Sequence, residues 1–118
     1  MGKAREKLDE ISRYKDNWNG YGAKAYTEMF IKFASDVIDG LPVEPDVFPL
    51  ANDGIQLEIS SKDRTEIQIC LRNDFTIDIQ LYDWDELIWN KKNISRKELP
   101  HTVSTFISVK EPSEFPRM

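Results

Sequence analysis

Between residues 55 and 81 apolar and polar side chains alternate with a period of two, three times over, and no other feature restricts the possible folds of this chain as much. Ile55, Leu57 and Ile59 share one side of the first segment, Ile67, Ile69 and Leu71 of the second, and Phe75, Ile77, Ile79 and Leu81 of the third. That spacing predicts β-strands buried on one face. Lys62-Asp63-Arg64 and Arg72-Asn73-Asp74 suit short hairpin connections, so the strands are expected to form an antiparallel meander with an aliphatic inner face.

Such a sheet needs a cover, and the N-terminal third supplies it. Ala4, Leu8, Ile11 and Tyr14 recur at spacings of three and four, which predicts an amphipathic helix. The turn-forming run KDNWNGYGAK, with Asn17, Asn19, Gly20 and Gly22, ends it. A second helix is predicted to start near Thr27, carry Met29, Phe30, Phe33, Ala34, Val37 and Ile38, and close at Gly40 as its cap. Prolines 42, 45 and 49 make the next segment an extended connector, and Asn52-Asp53-Gly54 a turn. After the meander, Asp83 and Glu86 have capping-box spacing and Trp84, Leu87 and Ile88 helical spacing, predicting a short helix over 84–92. Ser95 and Glu98 repeat the box before Pro100, and the β-branched run Thr102 to Val109 predicts a last strand. The expected architecture is a single α+β domain: a helical part over 1–40, a mainly β part over 50–110 with three to five strands, and a loose tail over 111–118.

Composition narrows the function. No apolar run reaches the roughly 20 residues a membrane span requires, and MGKAREKLDE lacks the apolar stretch of a secretory signal. Cys70 is the sole cysteine, so no intrachain disulfide or multi-cysteine zinc site can form, and a cytoplasmic location is expected. Charge is segregated: residues 1–43 carry seven acids and seven bases, 44–86 eleven and three, 87–118 three and six. An acidic middle disfavours direct nucleic-acid binding, which requires a basic face, and favours a basic protein partner. With one histidine, His101, and one cysteine, nucleophile–base catalysis would have to be assembled from singletons. Gly20 and Gly22 lack the Lys-Ser/Thr ending of a phosphate-binding loop. The chain is therefore read as a non-enzyme without a cofactor or a resident metal.

The candidate site is instead a surface. Glu58, Glu66 and Asp78 fall on the outward face of the meander, where they can form an acidic recognition surface, with Tyr82 or Trp84 as an apolar anchor. The bland reading of the same carboxylates is a solvated sheet face. Trp18 is expected to fold under its glycine loop and seal the core, and only one of Trp84 and Trp89 to be exposed.

The run Trp18-Asn19-Gly20-Tyr21-Gly22-Ala23, followed by Asp53-Gly54-Ile55-Gln56-Leu57-Glu58, resembles a mostly uncharacterised group of small bacterial and phage proteins. Their pattern is Trp-Asp/Asn-Gly-Tyr-Gly-Ala and a later Asp-Gly-x-Ile-x-Leu-Glu-Trp strand motif; here Ile59 replaces the second tryptophan. The likeness covers roughly residues 8 to 82. It implies an accessory protein of phage, mobile-element or toxin–antitoxin neighbourhoods that acts on another macromolecule, such as an antitoxin, immunity protein or anti-defence inhibitor. Two other classes are weighed against it: a small-ligand or nucleotide-binding module, with or without hydrolytic activity, using a pocket beside Trp18, and a self-associating subunit, a homodimer in the simplest case, that pairs an exposed strand edge with its copy.

Overall fold

The computed structural model describes residues 2–51, 54–60 and 65–108. Helices α1 (Gly2–Ser12) and α2 (Glu28–Gly40) precede five strands, β1 (Asp46–Pro49), β2 (Ile55–Ser60), β3 (Thr65–Leu71), β4 (Ile77–Asp83) and β5 (Glu86–Lys91), and helix α3 (Leu99–Ser108) follows. The strands form one antiparallel sheet in chain order, β1 to β5. The fold is α+β, with the two N-terminal helices and the meander as expected.

The period-two pattern does what strand geometry requires of it. Ile55, Leu57, Ile59, Ile67, Ile69, Leu71, Ile77, Ile79 and Leu81 are all buried, while the alternate residues of β2 to β4 are half-exposed or exposed. Against the aliphatic face pack Ala4, Leu8 and Ile11 of α1, Phe30, Phe33, Ala34, Val37 and Ile38 of α2, and Leu99, Val103 and Phe106 of α3. All three helices serve one core, and the other sheet face is left for solvent or a partner. Thr27 caps α2 from extended backbone (φ −75°, ψ 154°), its Oγ1 accepting the Phe30 N–H at 3.2 Å. Tyr26 ties the helical layer to the turn after β1: its Oη accepts the Leu50 N–H (3.1 Å) and lies 2.9 and 2.8 Å from the Leu50 and Gly54 carbonyls.

Five expectations need correction. The proline-rich connector is not wholly irregular, since residues 46–49 add a short edge strand, where proline's missing N–H faces away from the sheet. Gly40 is the last residue of α2 and Leu41 the cap, its N–H donating to Ile38 O. Phe75 is not an inward strand residue: it sits in the β3–β4 turn at φ 67°. The helix expected over 84–92 is instead a hairpin: Asp83 pairs with Glu86 across the two-residue loop Trp84–Asp85, and β5 continues to Lys91. An i, i+3 pair of acids fits a two-residue hairpin as well as a capping box, and hydrogen bonding to the open edge of β4 decides between them. Finally, Thr102 to Val109 is not a strand: residues 102–108 belong to α3, and Val109 lies outside the described residues. Leu99, Val103 and Phe106 have the helical i, i+4, i+7 spacing, and burying them outweighs β propensity. The second capping box was correctly placed, because Ser95 Oγ accepts the Glu98 N–H at 3.0 Å just before α3. The expected turn at 52–53, the hairpin residues 62–64 and the tail 111–118 lie outside the described residues.

Candidate interaction surface

The outward face of the sheet is built by the register of its strands. Asp46 of β1 lies opposite Glu58 of β2, Glu58 opposite Gln68 of β3, and Gln68 opposite Gln80 of β4. One row further along, Ser60 faces Glu66, Glu66 faces Tyr82, and Tyr82 faces Leu87 of β5. Glu58 and Glu66 are thus diagonal neighbours on adjacent strands, close enough for their side chains to meet. Gln56 Nε2 donates to Glu58 Oε2 (2.6 Å), Gln68 Nε2 to Glu66 Oε2 (3.4 Å), and Tyr82 Oη to Gln80 Oε1 (3.1 Å).

Burial raises the Glu66 carboxyl above the usual range, and its hydrogen bond to Glu58 and the charge of Asp85 add to the effect against the Gln68 amide. The folded state therefore holds a proton that the unfolded chain releases earlier. The stabilisation is full below the ordinary glutamate value, about 4.3, and is lost as pH rises through the raised one. Glu66→Gln is expected to make the fold more stable than wild type near neutral pH, by less than about 1 kcal/mol given solvent screening, with the gap closing in acid. Thermal melts of both proteins across the acid-to-neutral range check it.

Asp78 is not part of this pair. It faces Cys70, four residues along β4 from Tyr82, or about 13 Å of strand. Its side chain, 14% exposed, accepts Arg72 Nε and Nη2 (3.2 and 2.5 Å) and the Asn93 N–H (2.9 Å). Burial alone would raise this carboxyl, but the Asn93 amide and the Arg72 guanidinium outweigh it and hold it low. Of the three predicted carboxylates the sheet brings two together and assigns the third to the turn after β5.

Both hairpin tips of β4 carry an aromatic residue in the left-handed region. Trp84 is the first loop residue between β4 and β5, with φ 57° and 69% exposure. A two-residue hairpin loop favours glycine or asparagine at positions of positive φ, and a bulky residue there costs about 1–2 kcal/mol. Among the described residues no ring contact is made by Trp84, and its exposure leaves little burial to repay this. Phe75 differs, because its ring makes an edge contact with Phe33 at 5.3 Å, across planes at 89°, and touches Phe30 at 6.4 Å. Leu87 (44% exposed) stands beside Tyr82 on the outward face. It was missed from sequence because the helical reading of 84–92 put it elsewhere; the Asp83–Glu86 hairpin spacing was the signal available. Of the two late tryptophans only Trp84 is exposed and Trp89 is half-buried, in keeping with the expectation that one of them, not both, would be exposed.

The other candidates are structural. Trp18 packs between Tyr14 (5.0 Å) and Tyr26 (6.1 Å) and donates its Nε1–H to Lys24 O (3.0 Å). The loop around it is held by side-chain acceptors: Asn17 Oδ1 takes the Gly22 N–H (2.7 Å) and Asn19 Oδ1 those of Tyr21 (2.8 Å) and Ala23 (3.2 Å), with Gly20 and Gly22 at φ 78° and 87°. Burial pushes the Cys70 thiol up, against the charge of Arg72, so it stays protonated and weakly nucleophilic at neutral pH. His101 lies exposed on α3, in the layer on the opposite side of the sheet. Among the described residues no group of three or more His, Cys, Asp or Glu side chains is placed to hold a metal ion, and no helix is long and apolar enough to cross a membrane. No protein-family model, curated protein or solved structure matches the chain.

Proposed function

We propose that this chain is a non-enzymatic, protein-binding accessory protein, of the kind that antitoxins, immunity proteins and anti-defence inhibitors represent. In this reading its outward sheet face covers a basic surface on the partner. The observation that carries the proposal is Trp84: a large aromatic held at positive φ, without burial in return, at the rim of a sheet face whose centre is the Glu58–Glu66 pair. Strain at a residue the core does not use points to a role outside the core. Tyr82 and Leu87 extend the anchor, and the carboxylates supply a negative field that steers a basic partner. Asp78 contributes less to that field because Arg72 neutralises it. The resemblance of the Trp18 loop to small phage and bacterial accessory proteins supports the same class, and a cytoplasmic setting suits it. The ligand-binding reading has less support, since the Trp18 indole is packed between two tyrosines and its N–H is already used.

The test starts from a partner captured from the native host with the tagged protein and identified by mass spectrometry. Glu58→Lys with Glu66→Lys is expected to slow association and remove its salt dependence. Trp84→Gly is expected to speed dissociation tenfold or more while leaving the fold as stable as wild type or about 1 kcal/mol more so. Unchanged binding in both variants would sink the proposal.

A further inference from the structure

The two edges of the sheet are finished differently. β1 is four residues long, follows Pro45 and ends at Pro49, and neither proline has an N–H to offer a further strand. β5 has six residues and no proline. The Ile77 carbonyl accepts the Ile94 N–H, so the odd residues of β4 aim their backbone groups toward the β5 side and the even ones toward β3. Leu87 and Asn90 lie opposite the even residues Tyr82 and Gln80, and their own N–H and C=O groups therefore point away from the sheet. Both residues are exposed, and among the described residues no further strand or loop bonds to them. The same pairing sets the faces. Glu86, Trp89 and Lys91 lie opposite Asp83, Leu81 and Ile79 on the inward side, and Leu87 and Asn90 take the outward side. Ile88 is the extra residue of a bulge and packs with Trp89 against the core. Because of that extra residue, Glu86 and Lys91, five positions apart, share one face.

We propose that the protein forms a two-fold dimer in which β5 pairs antiparallel with β5 of a second copy, joining two five-stranded sheets into one. With the axis between Ile88 and Trp89, Leu87 of each copy faces Asn90 of the other, and the two pairs exchange four backbone hydrogen bonds. Glu86 faces Lys91 of the other copy, once at each end. Lys91 Nζ already donates to Glu98 Oε2 (2.9 Å), and an ammonium has donors left for a second carboxylate. The wider charge agrees. Residues 82–86 hold three acids and no base, and residues 91–98 four bases and one acid; with the neighbouring stretches 62–66 and 72–78 counted, the two ends carry −3 and +2. An antiparallel copy brings these unlike ends together, whereas a parallel one sets like against like. Ile88 and Trp89, half-buried at the rim of the core, meet their equivalents at the axis. Of the registers that match open backbone groups, this one engages all six residues of the strand. The contact is short, so the dimer is weak and forms at high concentration. It goes beyond the partner reading and does not rest on it, because Glu58 and Glu66 lie on other strands and only Leu87 is shared.

Sedimentation equilibrium of the purified full chain, from micromolar to millimolar concentration and without any partner, tests the proposal. The weight-average mass is expected to rise from that of a monomer to a plateau at twice that value, with the midpoint moving to higher concentration as salt is raised. Asn90→Pro removes an N–H that points away from β4, so it costs the monomer no ladder bond. It is expected to raise the dissociation constant tenfold or more with the circular dichroism unchanged. Glu86→Lys and Lys91→Glu, each alone and each confirmed folded, set like charges face to face at both ends of the pairing and are expected to weaken the dimer tenfold or more. Mixed together, the two variants regain both opposite-charge pairs and are expected to associate at least tenfold more tightly than either does alone. A wild-type chain that stays monomeric throughout overturns the proposal and leaves this edge to an extended segment of another protein. Masses that climb past a dimer, a dimer indifferent to Asn90→Pro, or a mixture no tighter than its components overturn it as well.

Discussion

Replacing Phe30 with alanine is expected to cost about 3–5 kcal/mol, a large share of the 5–15 kcal/mol by which a domain of this kind is stable. Phe30 is 2% exposed and lies at the centre of a continuous line of rings, in contact with Tyr26 (5.9 Å), Phe33 (6.0 Å) and Phe75 (6.4 Å), with Trp18 and Tyr14 beyond Tyr26. Removing the ring leaves a cavity that α2 cannot close, because Thr27 fixes its start and Tyr26 holds the turn after β1. It also removes one of the two rings that hold Phe75 at positive φ. Urea unfolding of Phe30→Ala, followed by far-ultraviolet circular dichroism and by tryptophan fluorescence, should show coincident transitions shifted well below wild type. A loss below about 1 kcal/mol would mean that the aromatic line does not organise the core.

The second large effect is expected at Asp78, where Asp78→Ala should cost about 2–3 kcal/mol, as hydrogen bonds to a charged group do. The carboxylate accepts the N–H of Asn93, which stands at φ 58°, and holds Arg72 at the other side of the β3–β4 hairpin. Next to Asn93, the Ile94 N–H bonds to Ile77 O (2.8 Å), so one side chain secures the return of the chain from β5 toward α3. The pH dependence has the opposite sign to that of Glu66. Asp78 is held low in the folded state, so its contribution is present above the ordinary aspartate value, about 3.9, and is lost as pH falls through the folded one. The deficit of Asp78→Ala should therefore be full at neutral pH and shrink in strong acid. Asp78→Asn, which keeps an acceptor for the Asn93 amide, should recover part of it. A deficit that does not change with pH would show that the charge contributes nothing.

The division between what the sequence made legible and what it did not follows the division between inner and outer faces. Every apolar inward residue of β2 and β3 was assigned correctly, because a half-buried strand must alternate and a one-residue slip would expose all of them; the buried Thr65 at the start of β3, a polar residue outside the aliphatic pattern, was not. Helices α1 and α2 were equally plain, each having an apolar stripe and a legible stop. Beyond Asp83 the local pattern stopped deciding. Asp83-Trp84-Asp85-Glu86 satisfies both a helix start and a hairpin, and Thr102 to Ser108 is β-rich yet buries Val103 and Phe106 as a helix. In both places the outcome depends on what lies alongside, the edge of β4 in one case and the core in the other. The candidate surface was legible by residue type and less so by position. The outward location of Glu58, Glu66 and Tyr82 followed from alternation, but no spacing rule could place Asp78 beside Arg72 and Asn93, or Trp84 at positive φ.

The strictly sequential strand order has a consequence for how the molecule comes into being. Every pair in the sheet joins strands that are neighbours in the chain, so each closes a short loop at small entropic cost, and the sheet can grow hairpin by hairpin without a long-range search. The helices have no such independence, since α1 and α2, of 11 and 13 residues, are too short to persist alone in water. During synthesis they leave the ribosome before any strand they could cover. Their apolar stripes must then wait for the meander, and the first hairpins to emerge become the template on which the N-terminal third of the protein acquires its structure.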